Sequence, residues 1–505
     1  MSAGTTTQTA ATADAPETMT PDAMALDAAT PDSMKWTPVG ETTWRGMALP
    51  VMRRVDLLVV GGGTAGAIAA IAGGREGLST LVVEPQAFLG GTQTGALVTP
   101  MMPNQIDGVP LNGGIDAEVN AAMRDDGHSG RFKDGNEGWF DPEWLKVVLD
   151  RFLRDAGASA LFFTSFVDVL VGDERADGRA QVRGAVLHGK RGLFAVDAAR
   201  VIDATGDADV AVAAGVPVME GDEDGEHQPL GFRFVLGNLD FDTFLPFAEG
   251  AGRTESTSAA EASSDVPLVT GAMVAGRGWP LEAIFREGVA AGVLDEEDLN
   301  YVQFFTMSGR PGELAFNNPR LRDHIDGTNP FHLSHAATSG RAMIARYAAF
   351  FRRFVPGCAN ATVTQTATQV GVRETRRIVG EYVLTSDDFL AARKFDDAIA
   401  RNCYPIDLHR RTENAAKLLR LPEGEYHEIP YRCLVPTSVD NLLVAGRALS
   451  ADFAAQGAVR IQSTCRAMGE AAARAMALSL RAGIAPRAVD GVALRDHLRL
   501  HGARL

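Results

Sequence analysis

The run VDLLVV, from Val55 to Val60, reads as a short apolar strand. It feeds directly into Gly61-Gly62-Gly63-Thr64-Ala65-Gly66 and then into AIAAIAGGREG at helical spacing. A second apolar run, Thr80 to Val83, ends at Glu84, 23 residues beyond Gly61, and completes a β-α-β unit. Each position has a physical task. Gly61 permits the tight turn, Gly63 removes the Cβ that would block a pyrophosphate, and Gly66 lets the helix pack close to the strand. The helix start at Thr64 and Ala65 offers unpaired N–H groups and a positive dipole end to phosphates. Glu84 is placed to accept hydrogen bonds from an adenosine ribose. A carboxylate there opposes a 2′-phosphate, so FAD or NAD fits better than NADP.

The stretch that follows, EPQAFLGGTQTGALV from Glu84 to Val98, carries a second glycine pair. Here the chain resembles the flavoprotein superfamily with a two-dinucleotide-binding-domain, glutathione-reductase/fumarate-reductase-like FAD fold. More closely, it resembles the bacterial FAD-dependent oxidoreductase family. The resemblance implies that Gly90, Gly91 and Thr92 lie along the flavin end of the cofactor. From residue 160 to 203 short alternating runs (LFFTSF, VDVLVGD, QVRGAVLH, LFAVDA, RVIDATGDAD) are separated by turns at Asp177-Gly178 and 189–192, which predicts a β-meander returning to the sheet. It ends in Ala204-Thr205-Gly206-Asp207, and the family carries an Ala-Thr-Gly sequence where the chain passes over the FAD phosphates, so Gly206 and Asp207 are expected there. Near the C-terminus NLLVAGR, residues 441–447, reads as a strand and glycine turn. A loop through Gln456-Gly457 and a helix over roughly 460–480 follow it. The resemblance makes this the closing FAD element and implies that Gly446, Arg447, Gly457 and Ile461 contact the cofactor. No histidine lies between Glu84 and Gly127 to form a flavin linkage, so FAD is expected to be non-covalent.

The expected fold class is α/β: a Rossmann-like FAD-binding domain with a β-meander, interrupted by a mixed α+β substrate domain. Residues 1–46 read as a disordered low-complexity tail, 47–215 as the first part of the FAD-binding domain, 216–434 as the substrate domain, and 435–505 as the closing strand and C-terminal helices. The acidic loop 220–226 reads as solvated, and the Ser/Ala-rich stretch 252–264 as a surface insertion. Within GVRETRRIVGEYVL, residues 371–384, a similar Arg-Glu-x-Arg-Arg run belongs to the family. Arg373 is the arginine expected to face the substrate, because a guanidinium forms bidentate bonds to carboxylates. The alternative is a salt-bridge cluster with Glu374 and Glu381. His332 is a candidate base and, with His335 three residues on, could share a helix face as a metal pair, but no third ligand is evident and no metal is expected. His427 and Tyr431, in YHEIPYRCLVP, are the remaining catalytic candidates because the chain there returns toward the flavin.

Composition narrows the partners. Lys plus Arg number 48 against 64 for Asp plus Glu, a net charge of −16 that disfavours nucleic acid and anionic lipid. Four well-separated cysteines offer no C-x-x-C pair for an iron–sulfur cluster or redox disulfide, and there is no second G-x-G-x-x-G unit for a nicotinamide. Electrons taken by the flavin must therefore leave to oxygen, a quinone, a soluble carrier or a second substrate. No uncharged apolar run is long enough to span a bilayer, so a cytoplasmic, soluble protein is expected. The leading reading is hydride transfer from a small polar substrate (hydroxyl-, amine- or carboxylate-bearing) to FAD. The alternatives are a flavin electron-transfer or assembly subunit acting on a protein partner, and a flavin monooxygenase.

Overall fold

The computed structural model describes residues 37–505 except Lys133, 173–177, 252–259, Ser263, Asp265 and Ala415. Most of the Ser/Ala-rich stretch and residues 1–36 of the expected tail thus lie outside the described residues. The last part of that tail does form structure. Gly40–Trp44 is a strand paired antiparallel with the first residues of Met47–Val60, Trp44 opposite Met47.

Met47–Val60 is the middle of the main sheet. It runs parallel to Thr80–Val83 on one side, with Leu58 opposite Leu81, and to Gly192–Asp203 on the other, with Leu58 opposite Val201. Thr80–Val83 continues to Ser159–Leu161, and Leu442–Val444 joins the far side of Gly192–Asp203, both in parallel. Where they pair in parallel, Leu57–Val60, Thr80–Val83 and Leu442–Val444 are buried on both faces, as a covered parallel sheet requires. The expected meander is present as Ser165–Val171, Ala180–Gly189 and Gly192–Asp203 in antiparallel order. Its last member is one strand of 12 residues rather than the two short ones expected, because Asp197 and Ala198 pair with Arg54 and Val55 and carry the ladder through.

One face of the sheet is covered by the helices Thr64–Arg75 and Gln462–Ala482, which cross at very small residues. A Cβ on Gly469 would lie 2.1 Å from the Ala65 carbonyl oxygen. Small side chains on both helices let the backbones approach this closely. Beyond the crossing, Glu76 is buried against Arg474, Arg481 and His497. Burial alone would raise its pKa, but bonds from His497, Arg481 and Arg474 hold it down at about 2.

A second, antiparallel sheet is built from the interrupting segment, in the order Thr270–Met273, Val302–Thr306, Leu314–Phe316, Phe234–Gly237, Thr362–Thr366. The 25-residue helix Pro330–Phe354, capped by the Asn329 side chain, packs across it. Their interface is aromatic: Phe234 stacks on Phe316 at 4.3 Å, with Tyr347, Phe350 and Phe351 alongside. No described helix is long and apolar enough to cross a membrane.

Gly469→Ala tests the helix crossing. The added methyl must push the two helices apart, so we expect a loss of about 1–3 kcal/mol in denaturant unfolding. Wild-type stability would mean that the helices part without cost.

Candidate active site

Three glycine turns meet at the carboxyl ends of the parallel strands. Gly61 has φ +94°, donates its N–H to Val83 O at 2.9 Å, and would place a Cβ 2.6 Å from Ala204 O. Gly66 is equally constrained, since a Cβ there would sit 1.8 Å from Gly61 O. Gly63 is different: the nearest atom to a Cβ is 3.8 Å away, and the residue lines a cavity. Glycine at 63 therefore keeps open a space that protein does not fill. No side chain caps the Thr64–Arg75 helix, so its N-terminal N–H groups face that space with the positive end of the helix dipole.

Glu84 is buried at the cavity edge. Burial raises its pKa, opposed by hydrogen bonds from Gln86 N (2.9 Å) and Gly62 N (2.8 Å). The second glycine pair lies directly on the first turn, with Gly90 N donating to Gly62 O at 2.9 Å and a Cβ on Gly91 falling 2.7 Å from Gly63 Cα. Thr92 lines the cavity beside them. Gly206, at φ +85°, and Asp207 form the facing turn. Arg447 clamps it, donating from Nε to Gly206 O at 2.7 Å and from Nη2 to Asp207 Oδ1 at 2.5 Å, with a further bond to Val372 O. Gly446 and Ile461 complete this wall, and Ile461 precedes the uncapped N-terminus of Gln462–Ala482.

Three expected cofactor contacts sit behind the wall instead. Gly66 and Gly90 shape the turns from within, and Gly457, in the helix Phe453–Val459, packs on the Asp407 backbone with 3.2 Å to a Cβ.

The cavity is continuous, about 1320 Å³, and extends from the glycine turns to the second sheet. Of the four catalytic candidates only Arg373 lines it. Its two neighbours in the sequence run are occupied, Arg376 with Asp209 and Arg377 with buried Glu374, which leaves Arg373 as the member turned to the cavity. His332 turns back, its Nδ1 accepting the Asp326 N–H at 3.1 Å, while His335 reaches exposed Asp323 at 2.9 Å, so the two imidazoles share no ligand position. His427 is fully buried with its ring edge-on to Phe389. Nε2 accepts from Asn402 Nδ2 at 3.1 Å, and burial pushes its pKa down to about 4. Tyr431 is buried in the core and donates its hydroxyl to Pro486 O at 2.9 Å. None of these three side chains lines the cavity: His332 and Tyr431 bond elsewhere and His427 is sealed in the core. The acidic loop is likewise tied down rather than merely solvated: Gly221 N donates to Glu374 Oε1 at 3.0 Å and Arg411 bonds Glu226 at 2.8 Å.

The polar groups that do face the cavity were mostly missed. Arg233, Arg320 and Arg460 join Arg373, together with Tyr301, Tyr404, Asp407 and His409. Burial, then the charges of Arg320, Arg460 and Arg233, lower the Arg373 pKa to about 9, and burial lowers that of Arg233 to about 10. One signal was available: Arg233 interrupts the apolar strand run GFRFVL, and a charge inside such a run demands a partner or a ligand.

A parallel sheet with a glycine-lined gap at an uncapped helix N-terminus, a buried acid at the end of the next strand and an adjoining polar cavity is the arrangement of a dinucleotide-binding fold. The chain matches the FAD dependent oxidoreductase family over residues 56–498 and belongs to it. Its cofactor is FAD. No curated protein sequence matches it. Among solved structures it is similar to a geranylgeranyl bacteriochlorophyll reductase-like protein from Thermoplasma acidophilum (12% identity over 85% of this chain and 80% of that one, TM-score 0.39). It is also similar to p-nitrophenol 4-monooxygenase from Pseudomonas putida DLL-E4 (12%, 88% and 84%, 0.42) and to the flavin-dependent brominase Bmp2 (14%, 88% and 83%, 0.41).

Gly63→Val fills the gap with a side chain at an ordinary extended backbone (φ −68°) and no protein contact nearer than 3.8 Å at Cβ. We expect nearly unchanged melting of the apoprotein and loss of FAD from the purified protein. Full retention of FAD would overturn this use of the gap.

Proposed function

We propose that this flavoprotein takes a hydride from a small polar substrate bound between the glycine turns and the second sheet. The observation that carries the reading is the continuity of the cavity. One wall is made of backbone N–H groups and glycines suited to a dinucleotide, and the opposite wall of side chains suited to a small polar molecule. Bound FAD supplies the two-electron acceptor for a substrate C–H bond.

The chain's own residues position and polarise. The N-terminus of Thr64–Arg75 holds the pyrophosphate, with Gly63 leaving room for it, while Glu84 faces the ribose. The uncapped start of Gln462–Ala482 directs a positive dipole end at the cavity, where it favours negative charge on whatever lies against Ile461 and Gln462. Arg373 orients the substrate from the other side.

The experiment is to release and identify the bound flavin, then to mix the holoprotein anaerobically with a panel of hydroxy acids, amino acids and simple alcohols while following the visible absorbance. Loss of the oxidised flavin band with one of these classes is expected. A protein that carries FAD, is bleached by none of them and consumes oxygen only when NADH or NADPH is added would overturn hydride transfer from substrate in favour of oxygen activation. Recovery of FMN would overturn the cofactor assignment as well.

A further inference from the structure

We propose that the wall opposite the glycine turns is a carboxylate-binding site formed by Arg233, Arg320, Arg373 and Arg460, with Arg320 oriented by Asp407 through His409. The substrate of this flavoenzyme is then a small carboxylic acid, an inference that rests on the reading above that the substrate binds in this cavity.

Charge balance is the first argument. The carboxylates on the cavity wall are Glu84, Asp207, Asp209 and Asp407. Glu84 is held by the backbone of Gly62 and Gln86, Asp207 by Arg447 and Thr375, and Asp209 by Arg376. Only Asp407 stands with the four arginines. Arg460 approaches it at 3.7 Å, and among the described residues no carboxylate pairs directly with Arg233, Arg320 or Arg373. Arg233 and Arg320 are each more than nine-tenths buried, and their hydrogen bonds go to neutral acceptors: Leu97 O at 3.3 Å for Arg233, and Asn414 O at 3.1 Å and His409 Nδ1 at 2.8 Å for Arg320. Several guanidinium groups held out of water beside one carboxylate carry a standing desolvation cost that a bound anion relieves.

The hydrogen-bond chemistry of His409 is the second argument. A guanidinium has no acceptor, so His409 Nδ1, 2.8 Å from Arg320 Nη2, carries no proton. The ring hydrogen therefore sits on Nε2, 3.2 Å from Asp407 Oδ2, and the imidazole is neutral with a fixed tautomer. Tyr404 donates its hydroxyl to that same oxygen at 3.1 Å. Both nitrogens of His409 are committed, so it acts on the substrate through Arg320. Arg320 is further held by Tyr301, its guanidinium carbon lying over the ring 4.7 Å from the centroid. A guanidinium fixed in this way presents a planar pair of donors, which matches a carboxylate.

The test titrates the FAD-loaded protein with acetate, oxalate, succinate and lactate, and separately with inorganic phosphate, reading the visible flavin spectrum. At least one carboxylate should perturb the spectrum saturably while phosphate does not. Arg320→Gln and Arg373→Gln should each weaken that carboxylate by about tenfold or more with FAD content retained. His409→Leu should weaken it similarly, and His409→Gln, whose amide can accept from Arg320 and donate to Asp407, should restore most of the affinity. A charged imidazole role would leave His409→Gln as impaired as His409→Leu and would overturn the positioning assignment. A yellow, FAD-loaded wild-type protein that ignores every carboxylate, or that responds to phosphate alone, would overturn the carboxylate site while leaving the flavoprotein reading intact. A protein that binds no FAD would sink that earlier reading instead.

Discussion

Three chain crossings at the ends of the parallel strands hold the site together, and the tightest is Gly61 against Ala204. Ala204 N donates to Val60 O at 2.8 Å, Gly61 N to Val83 O at 2.9 Å, and Ala445 N to Asp203 O at 2.9 Å. Each such bond contributes only about 0.5–1.5 kcal/mol net. Their larger effect is geometric. With 2.6 Å between a Cβ at 61 and the Ala204 carbonyl, no side chain can separate the two turns. Gly206 is therefore brought to the wall of the same cavity as Gly63, and Arg447 can reach Gly206, Asp207 and Val372 at once. The segment leading to Arg373 is thereby tied, through Val372 and Arg447, to the turn at Gly206.

The cofactor side could be read from the sequence because its determinants are local. Strand, glycines, helix and acid lie within 30 consecutive residues; Gly61 and Gly66 answer to backbone contacts that a Cβ would violate, while Gly63 leaves a space that protein does not fill. Locality also marks where the reading fails. Gly457 follows a strand and turn as a cofactor contact would, yet the short helix Phe453–Val459 turns it onto Asp407. The strand Gly192–Asp203 reads as two because its register with Arg54 and Val55, more than 130 residues earlier, is what carries it through Asp197. Gly40–Trp44 pairs locally, with Trp44 opposite Met47, but the Trp44 side chain is anchored by Asp168, 124 residues away.

The substrate wall was largely illegible because its members are assembled from distant segments. Arg320 and His409 are 89 residues apart and meet only after the second sheet and the Ile406–Leu408 strand have formed. His332, His427 and Tyr431 have suitable functional groups, but the direction of a side chain depends on packing that short windows do not encode. Arg373 is singled out in the sequence because a guanidinium suits a carboxylate; in the structure it lines the cavity, while Arg376 pairs with Asp209 and Arg377 with Glu374.

The net charge of −16 and the arginine-rich wall are compatible because they act over different ranges. Surface carboxylates face water and salt, where interactions fade within about 8–10 Å. They oppose long polyanions, which must approach over a broad area. The four arginines line a cavity, two of them more than nine-tenths buried, where the effective dielectric is lower and each charge counts for more. A small acid entering the cavity leaves the weak, screened repulsion of the surface for a strong local attraction. The same field disfavours neutral or cationic molecules that would leave the guanidinium groups uncompensated. Selection by charge is thus made at the cavity wall, where composition gives no hint of it.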